Sequence, residues 1–265
     1  MRLHRFVLAG VGLAALAACD DSDTTSPSRP PTAAVRVINA LADTTSVDVK
    51  LVDQVEWSLV ANNIAFRGGT EHQAIEAKAR HIKVFAFNSA NPTIDNVTKV
   101  LLDTTITFTA DSKVTLLLTG SARANTERLV VIDDNAPAPA AGQIAVRTVN
   151  ASTGAIDAYY VVAATDPIAG SPSATVAPLG ASQYVTRAAG AVAVRAAAAG
   201  TTTAAASVAG PTAPTAPTGA LPAAGVNTGG SAFSIFYFPA GVAGSPQGSL
   251  TTPGIVWFVD RVPTS

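Results

Sequence analysis

Cys19 is the only cysteine in the chain, so its chemistry depends on where it stands. An uninterrupted apolar run over residues 6–18 precedes it, after a short basic start. This run is shorter than the roughly 20 apolar residues of a membrane span and is typical of a signal-peptide core. The sequence LAAC at 16–19 matches the bacterial lipobox, whose cysteine thiol is acylated. We therefore predict a signal peptide over 1–18 and lipid attachment at Cys19.

The lone cysteine has further consequences. It excludes a disulfide within the chain and a metal or redox site built from several cysteines. Two acyl chains on one residue anchor a protein stably, and the acidic, Ser/Thr/Pro-rich segment that follows predicts a disordered tether over 19–32. We therefore expect the membrane to be a partner through the lipid, with the protein in the bacterial cell envelope, facing the periplasm or the cell exterior. The alternative is an ordinary secretory signal with an accidental cysteine.

The histidines and carboxylates offer little catalytic chemistry. His72 and His81 are nine residues apart, and neither has a cysteine or histidine at metal-ligand spacing. A glycosidase needs two carboxylates across a cleft, whereas Asp133 and Asp260 are better placed to cap turns after strands. The chain also lacks a Gly-x-Ser-x-Gly nucleophile motif and a phosphate-binding glycine loop. We predict that the protein is not an enzyme and binds no metal or cofactor.

Charge is sparse and unevenly distributed. Charged residues make up 13% of the chain, about half the usual share, and no basic cluster occurs, so nucleic acid is not an expected partner. Residues 33–135 hold ten basic and twelve acidic residues, whereas residues 142–265 hold four and three. The two halves therefore differ in composition, which favours two domains, and the second half is the one expected to carry the main contact surface.

An internal repeat divides the chain at the same place. AVRVINA at 34–40 recurs as AVRTVNA at 145–151. Four more matches follow in the same order, pairing 47–49 with 156–158, 64–68 with 176–180, 80–84 with 190–194, and 129–133 with 256–260. Ordered matches of this kind indicate a duplicated domain. We predict domains over 33–135 and 142–265, independently folded and joined by a Pro/Ala linker over 136–141.

Both copies have the periodicity of strands. Apolar and polar residues alternate over 47–51 and 82–86, and Gly, Asn, Asp and Pro separate such runs. Residues 71–80 look helical by composition, but their counterpart 183–190 does not, so we predict strand, turn, strand there. Six to eight short strands in each copy predict an all-β fold of two tandem antiparallel immunoglobulin-like β-sandwich domains.

A low-complexity stretch of Ala, Thr, Gly and Pro fills residues 196–230. A strand is expected somewhere within it, and residues 205–208 are a weak candidate. The rest is predicted to be a long mobile surface loop. A loop that contacts a ligand is the alternative.

The aromatic residues Phe236, Phe238 and Trp257 lie in two strands near the end of the chain. If these strands pair, the three side chains could form an exposed strip that binds sugar rings or a partner. The alternative, which we favour, is that the other sheet and the first domain cover both faces. The repeated Arg36 and Arg147 could also form a site.

Three motifs occur in order: an opening A-V-R-V-[IV]-N-A, a following V-D-V and a closing L-V-V-[IL]-x-D. Together they resemble the motifs of a bacterial envelope family catalogued as domain of unknown function 4397. The resemblance covers nearly all of residues 33–265 and is looser in the second copy. It implies tandem β-sandwich-like domains behind a lipoprotein signal and carries no catalytic residues. We therefore expect a non-enzymatic surface-displayed interaction, adhesion or assembly module. A carbohydrate- or small-ligand-binding module that uses the aromatic strip is the alternative.

Overall fold

The structure is a computed structural model that describes residues 30–53, 59–87, 99–214 and 223–264. The predicted signal peptide, Cys19 and the tether as far as residue 29 lie outside these residues. Among the described residues, no helix has the length and apolar character needed to cross a membrane.

The described residues of the first copy form eight strands, β1 (Thr32–Asn39), β2 (Val47–Leu51), β3 (Ala61–Ile64), β4 (Gln73–Glu76), β5 (Ala79–Ala86), β6 (Val100–Thr107), β7 (Lys113–Thr119) and β8 (Arg128–Asp133). Those of the second copy form β9 (Gln143–Asn150), β10 (Ile156–Val161), β11 (Ala174–Val176), β12 (Val185–Ala188), β13 (Ala193–Ala198), β14 (Ala204–Ala209), β15 (Ala232–Phe238) and β16 (Gly254–Arg261).

The two copies have the same topology. The first copy forms sheets with strand orders β4-β1-β7-β8 and β3-β2-β5-β6, and the second forms β12-β9-β15-β16 and β11-β10-β13-β14. The prediction of two all-β sandwich domains is confirmed. Neighbouring strands are antiparallel except that β1 pairs parallel with β7 and β9 pairs parallel with β15. Side-chain alternation does not encode strand direction, so the sequence did not predict these parallel pairs.

The four sheets are stacked, because the two sheets that contain β1 and β9 pack on each other. Along β1, Val35 and Val37 point into the first sandwich, whereas Ile38 points into a second apolar cluster shared with the other copy. All seven residues of β15 are buried. Both faces of this central strand are covered, one by its own sandwich and one by the first copy, which explains its nearly continuous apolar sequence.

Two segments whose sequence only weakly predicted strands do contain them. Residues 71–80 contain β4, a turn and the start of β5, so the prediction of strand, turn, strand is confirmed. The stretch 196–230 is not a loop throughout, because it contains the end of β13 and all of β14. β14 pairs with β13 over Ala204–Ala209, where alternate alanines are half-buried. Residues 215–222 of this stretch lie outside the described residues.

Residues 32–265 form one compact unit that contains both sandwiches. The Pro/Ala linker therefore joins copies that are packed against each other. Whether each copy also folds on its own remains a prediction.

Candidate functional site

Arg36 and Arg147 occupy equivalent positions on the sheet faces that meet between the copies. Arg36 of β1 lies opposite Thr115 of β7, and Arg147 of β9 lies opposite Ser234 of β15. A charged residue in the middle of a buried strand requires a charged or hydrogen-bonding partner. Each arginine pairs with a carboxylate of the other copy, and Arg36 also lies 3.4 Å from Asp134 of its own copy.

The two arginines cross the interface to opposite carboxylates. Arg36 Nη2 lies 2.7 Å from Asp260 Oδ1, and Arg147 Nη2 donates a hydrogen bond to Asp134 Oδ1. The four residues are between 0 and 4% exposed. Two positive and two negative charges thus balance within the buried interface.

Hydroxyl groups complete each half of this network. Arg36 Nε donates to Thr115 Oγ1 at 2.6 Å, and Thr115 Oγ1 in turn donates to Asp134. The second copy repeats this arrangement, with Arg147 Nε donating to Ser234 Oγ at 2.7 Å and Ser234 Oγ donating to Asp260 Oδ2 at 2.7 Å. The two halves are therefore related by an approximate twofold.

The outermost members of the network differ between the copies. His72 Nε2 lies 2.9 Å from Asp134 Oδ2, and Tyr184 Oη donates to Asp260 Oδ2 at 2.9 Å. An ionised carboxylate only accepts hydrogen bonds, so His72 is the donor in its pair. We define the charge network as these eight residues: Arg36, His72, Thr115, Asp134, Arg147, Tyr184, Ser234 and Asp260.

The strand register corrects the alignment of the repeat. The sequence paired Asp133 with Asp260, but Val114 lies opposite Asp133 and the equivalent Phe233 lies opposite Val259. Asp134 is therefore the counterpart of Asp260. A shift of one residue moves a strand side chain to the opposite face of the sheet.

The predicted turn-capping role is correct for Asp133 and wrong for Asp260. Asp133 Oδ1 accepts a hydrogen bond from the Asn135 backbone at 3.0 Å. Asp260 is buried in the charge network instead, because its side chain points into the interface opposite Arg36.

The protonation states follow from burial and from the surrounding charges. Burial alone would raise the pKa of Asp134, but the hydrogen bond from His72, the charge of Arg36, the hydrogen bond from Thr115 and the charge of Arg147 together lower it. Burial is the largest influence on His72 and lowers its pKa. Asp134 is therefore ionised at neutral pH and His72 is neutral.

The aromatic strip is not exposed. Phe236 and Phe238 are fully buried between the copies, where Phe236 meets Phe258 edge-on with the ring centroids 5.3 Å apart. Trp257 points to the other face of its sheet, where it lies edge-on to Phe233 with centroids 5.6 Å apart. The β15–β16 register pairs Phe236 with Val256 and not with Trp257, so the three rings cannot line one surface.

Asn39 and Asn150 stabilise the loops that leave the first strand of each copy. Asn39 Nδ2 donates to the Ile64 carbonyl at 2.9 Å, and its Oδ1 accepts from the Leu41 backbone at 2.9 Å. Asn150 makes corresponding bonds to Val176 and Ser152. These repeated asparagines therefore have the same structural role in both copies.

An open cleft of about 710 Å³ lies beside the charge network, at the junction of the copies. His72, Lys113 and Asp111 line it from the first copy, and Asp260 and Arg261 line it from the second. Burial is the main reason that the pKa of Lys113 is lowered. Across the described ranges, no group of three or more His, Cys, Asp and Glu residues is placed to hold a metal ion.

Residues 33–159 match the model of a family described as a domain of unknown function (DUF4397), the family that the sequence motifs resemble. The resemblance is confirmed over this span, which therefore carries a domain of that family. The match runs through β1–β8 and the linker and ends in β10, so both Arg36 and Arg147 lie inside it. No curated protein matches the chain.

Proposed function

We propose that this tandem domain of unknown function is a non-enzymatic lipoprotein of the bacterial cell envelope that serves as an interaction or assembly module. The observation that supports this proposal is the charge network. Its arginines and carboxylates pair across the interface between the two copies, and its histidine donates to one of these carboxylates. This arrangement is suited to a rigid module that presents its loops to a partner.

The stacking of the sheets supports the same proposal. A buried network whose charges pair across an interface favours one arrangement of the two faces. Two sandwiches held in this way extend the reach of the protein from the bilayer without a flexible joint between them. The tether predicted from the sequence before residue 33 would link this element to the lipid, and the loops of the stacked sandwiches would meet the partner.

The experiment compares the anchored protein with a Cys19→Ala variant in intact cells. We expect lipid labelling of the unaltered chain, loss of labelling in the variant, and proximity crosslinking of the anchored chain to one defined envelope component. A Cys19→Ala protein that stays membrane-bound after correct cleavage would refute the anchor. A labelled, anchored chain that crosslinks to nothing at saturating reagent would refute the interaction module.

The cleft favours a second candidate function, the binding of a small polar ligand. Ligand sites are commonly found at domain junctions, in clefts of about 300–1,000 Å³. Lys113 and Arg261 would meet an anionic group, and Asp111 would meet a hydrogen-bond donor. Calorimetry with soluble cell-wall fragments tests this function. Binding that is lost in Lys113→Ala and retained in Trp257→Ala supports the cleft, whereas the reverse result favours a site near Trp257.

A further inference from the structure

We propose that the interface between the copies is exchangeable between molecules, so that the first copy of one chain binds the second copy of another. The partner that this face fits is therefore a second copy of the same chain. This inference goes beyond the proposed function and does not depend on the location of the protein or on the lipid anchor.

The strand connections allow such an exchange. Each of the four sheets takes all of its strands from one copy, so within the described residues no strand pairing crosses the interface. Separation of the copies breaks side-chain and loop contacts and leaves every sheet intact. The segment that must open is the short connection between β8 and β9, which contains Pro137, Pro139 and a glycine, Gly142, at φ +72°. Exchange of whole domains through a short hinge is a low-cost route to a dimer.

The charges make the two faces complementary. Arg36 pairs with Asp260 of the second copy, and Arg147 pairs with Asp134 of the first. Because each face offers one arginine and one carboxylate at equivalent positions, any opposed pair of these faces satisfies both charges. The charges alone therefore permit a first copy to meet either a first or a second copy of another chain.

Side-chain size restricts the partner to the unlike copy. Leu117 and Thr119 of β7 occupy the positions that Phe236 and Phe238 occupy in β15. Two first copies would leave space where the phenyl rings now pack, and two second copies would crowd four of these rings together. Both defects destabilise a close-packed interface. The favoured pairing is the one seen within the chain.

A loop of the second copy also favours the pairing of unlike copies. Residues 239–253 reach across to the first copy, where the Val242 backbone donates to Ala42 at 3.0 Å and Gln247 Nε2 donates to Thr44 at 3.0 Å. The corresponding loop of the first copy, residues 120–127, is shorter. Its residues bind Asp43 of their own copy, with Ser121 Oγ donating at 2.6 Å, and Arg123 donates to the Ala243 carbonyl of the longer loop at 3.4 Å. Only the pairing of unlike copies makes the contacts of the longer loop.

The test uses two variants of the mature chain, each also carrying Cys19→Ala to prevent lipidation. Arg36→Met leaves Asp260 without its arginine, and Asp260→Asn leaves Arg36 without its carboxylate in the other copy, so that only Asp134 of its own copy remains, 3.4 Å away. In an exchanged pair of the two variants, one interface brings the two substituted positions together, while the native arginine and aspartate meet in the other. Removal of both partners of a buried pair is far less costly than removal of one.

We expect the co-refolded mixture to form dimers that contain both variants, at least tenfold above the dimers of either variant alone, as measured by native mass spectrometry. The matched control carries Arg36→Met and Asp260→Asn in one chain and should form no more dimer than the unaltered chain at the same concentration. A mixture of folded variants that contains only monomers overturns the proposal. If each variant is unfolded alone and folds in the mixture, the proposal is supported.

If neither variant folds in the mixture, the unaltered mature sequence with Cys19→Ala decides the question. Chains carrying two different tags are denatured and refolded together at high concentration. Dimers that contain both tags and have the native strand spectrum support the exchange, and the exclusive recovery of monomers overturns it.

Discussion

His72 and Tyr184 stand at equivalent positions, one residue before the edge strands β4 and β12, and each lies 2.9 Å from the buried carboxylate of its own copy. Asp260 thus accepts a hydrogen bond from the phenol of Tyr184, where Asp134 accepts one from the imidazole of His72. Burial, followed by the nearby charge of Asp260, raises the pKa of Tyr184, so this phenol stays neutral. Histidine is the residue of this pair that titrates near neutral pH. The two otherwise matched halves of the network therefore differ in their response to acid.

We expect the free energy of unfolding to fall as the pH drops below about 6.5, the ordinary pKa of histidine. Burial lowers the pKa of His72 in the folded protein. The unfolded chain therefore binds a proton at pH values where the folded chain does not, and stability rises with pH across that window. One such group contributes at most about 1.4 kcal/mol per pH unit. Urea unfolding between about pH 5 and about pH 8 measures this slope.

Two variants identify the histidine that causes the slope. His72→Tyr copies the residue of the second copy and should remove the slope while it keeps a hydrogen-bond donor toward Asp134. His81→Gln is the control, because it removes a histidine at the surface, beside Asp103 and away from the network, and the slope that His72 causes should persist in it. A slope that persists in His72→Tyr contradicts the assignment. Asp134 affects the free energy of unfolding only at lower pH. Its pKa is lowered in the folded protein, so the stability that it contributes is lost only below about pH 4.

Arg147→Met should destabilise the protein by about 2–3 kcal/mol, because it removes the arginine that the other copy contributes to buried Asp134, which keeps Arg36 of its own copy 3.4 Å away. Arg128→Met is the matched control on an exposed position of β8 and should change the free energy of unfolding by less than about 0.5 kcal/mol. Addition of Asp134→Asn to Arg147→Met should recover part of the loss, since the excess negative charge in the buried network is then removed. Equal denaturation midpoints for Arg147→Met and Arg128→Met would rule out an energetic role for this pair.

The sequence identified the repeated arginines but not their partners. The equivalence of Arg36 and Arg147 was visible in the motif, whereas the carboxylates lie in the other copy and are brought close only by the stacking of the sheets. The repeat was aligned on the aspartates, and this choice shifted β16 by one residue. A better signal was available in the strands themselves. Thr115 and Ser234 are single hydroxyl residues within apolar runs, and a polar residue in a strand buried on both faces indicates an internal partner.

The three aromatic residues are covered, as the favoured alternative predicted, but their assignment to one common face was wrong for a different reason. Phe236 and Phe238 were correctly assigned to one face, but pattern alone does not say what covers that face. Trp257 was assigned to the same face because the register between β15 and β16 depends on their long connection, which the sequence does not specify. β14 was nearly missed because alanine and serine fit a strand without the β-branched signature that marks the other strands.

Phe236→Ala should uncouple the two copies. The side chain is fully buried between them and packs on Phe258 and near the Arg36 guanidinium, so its removal should cost about 3–5 kcal/mol. Because the lost contacts join the copies, we expect the single calorimetric transition of the unaltered protein to separate into two. Phe85→Ala, at a half-buried position on an outer sheet, should lower the stability of the first copy without this separation. Two transitions in the unaltered protein, or one in Phe236→Ala, would contradict the coupling.

A cut within the linker should leave the two copies associated. A protease site inserted between Pro137 and Ala141 allows the folded chain to be cleaved, and the fragments are then examined by gel filtration and circular dichroism. Each fragment keeps complete sheets, so we expect strand-type spectra from both. The buried charge network and the packed phenyl rings should hold the fragments together at neutral pH, with elution at the volume of the uncut protein.

The same cut is made in the Arg147→Met variant, and its fragments are compared with those of the unaltered protein. Asp134 then loses its cross-interface arginine, and we expect the fragments to separate on the column while each retains its strand spectrum. Dissociation of the unaltered fragments immediately after cleavage would show that the linker, and not the interface, holds the copies together. Loss of the strand spectrum in both fragments after separation would mean that neither sandwich is stable alone and that the interface is part of the folding unit.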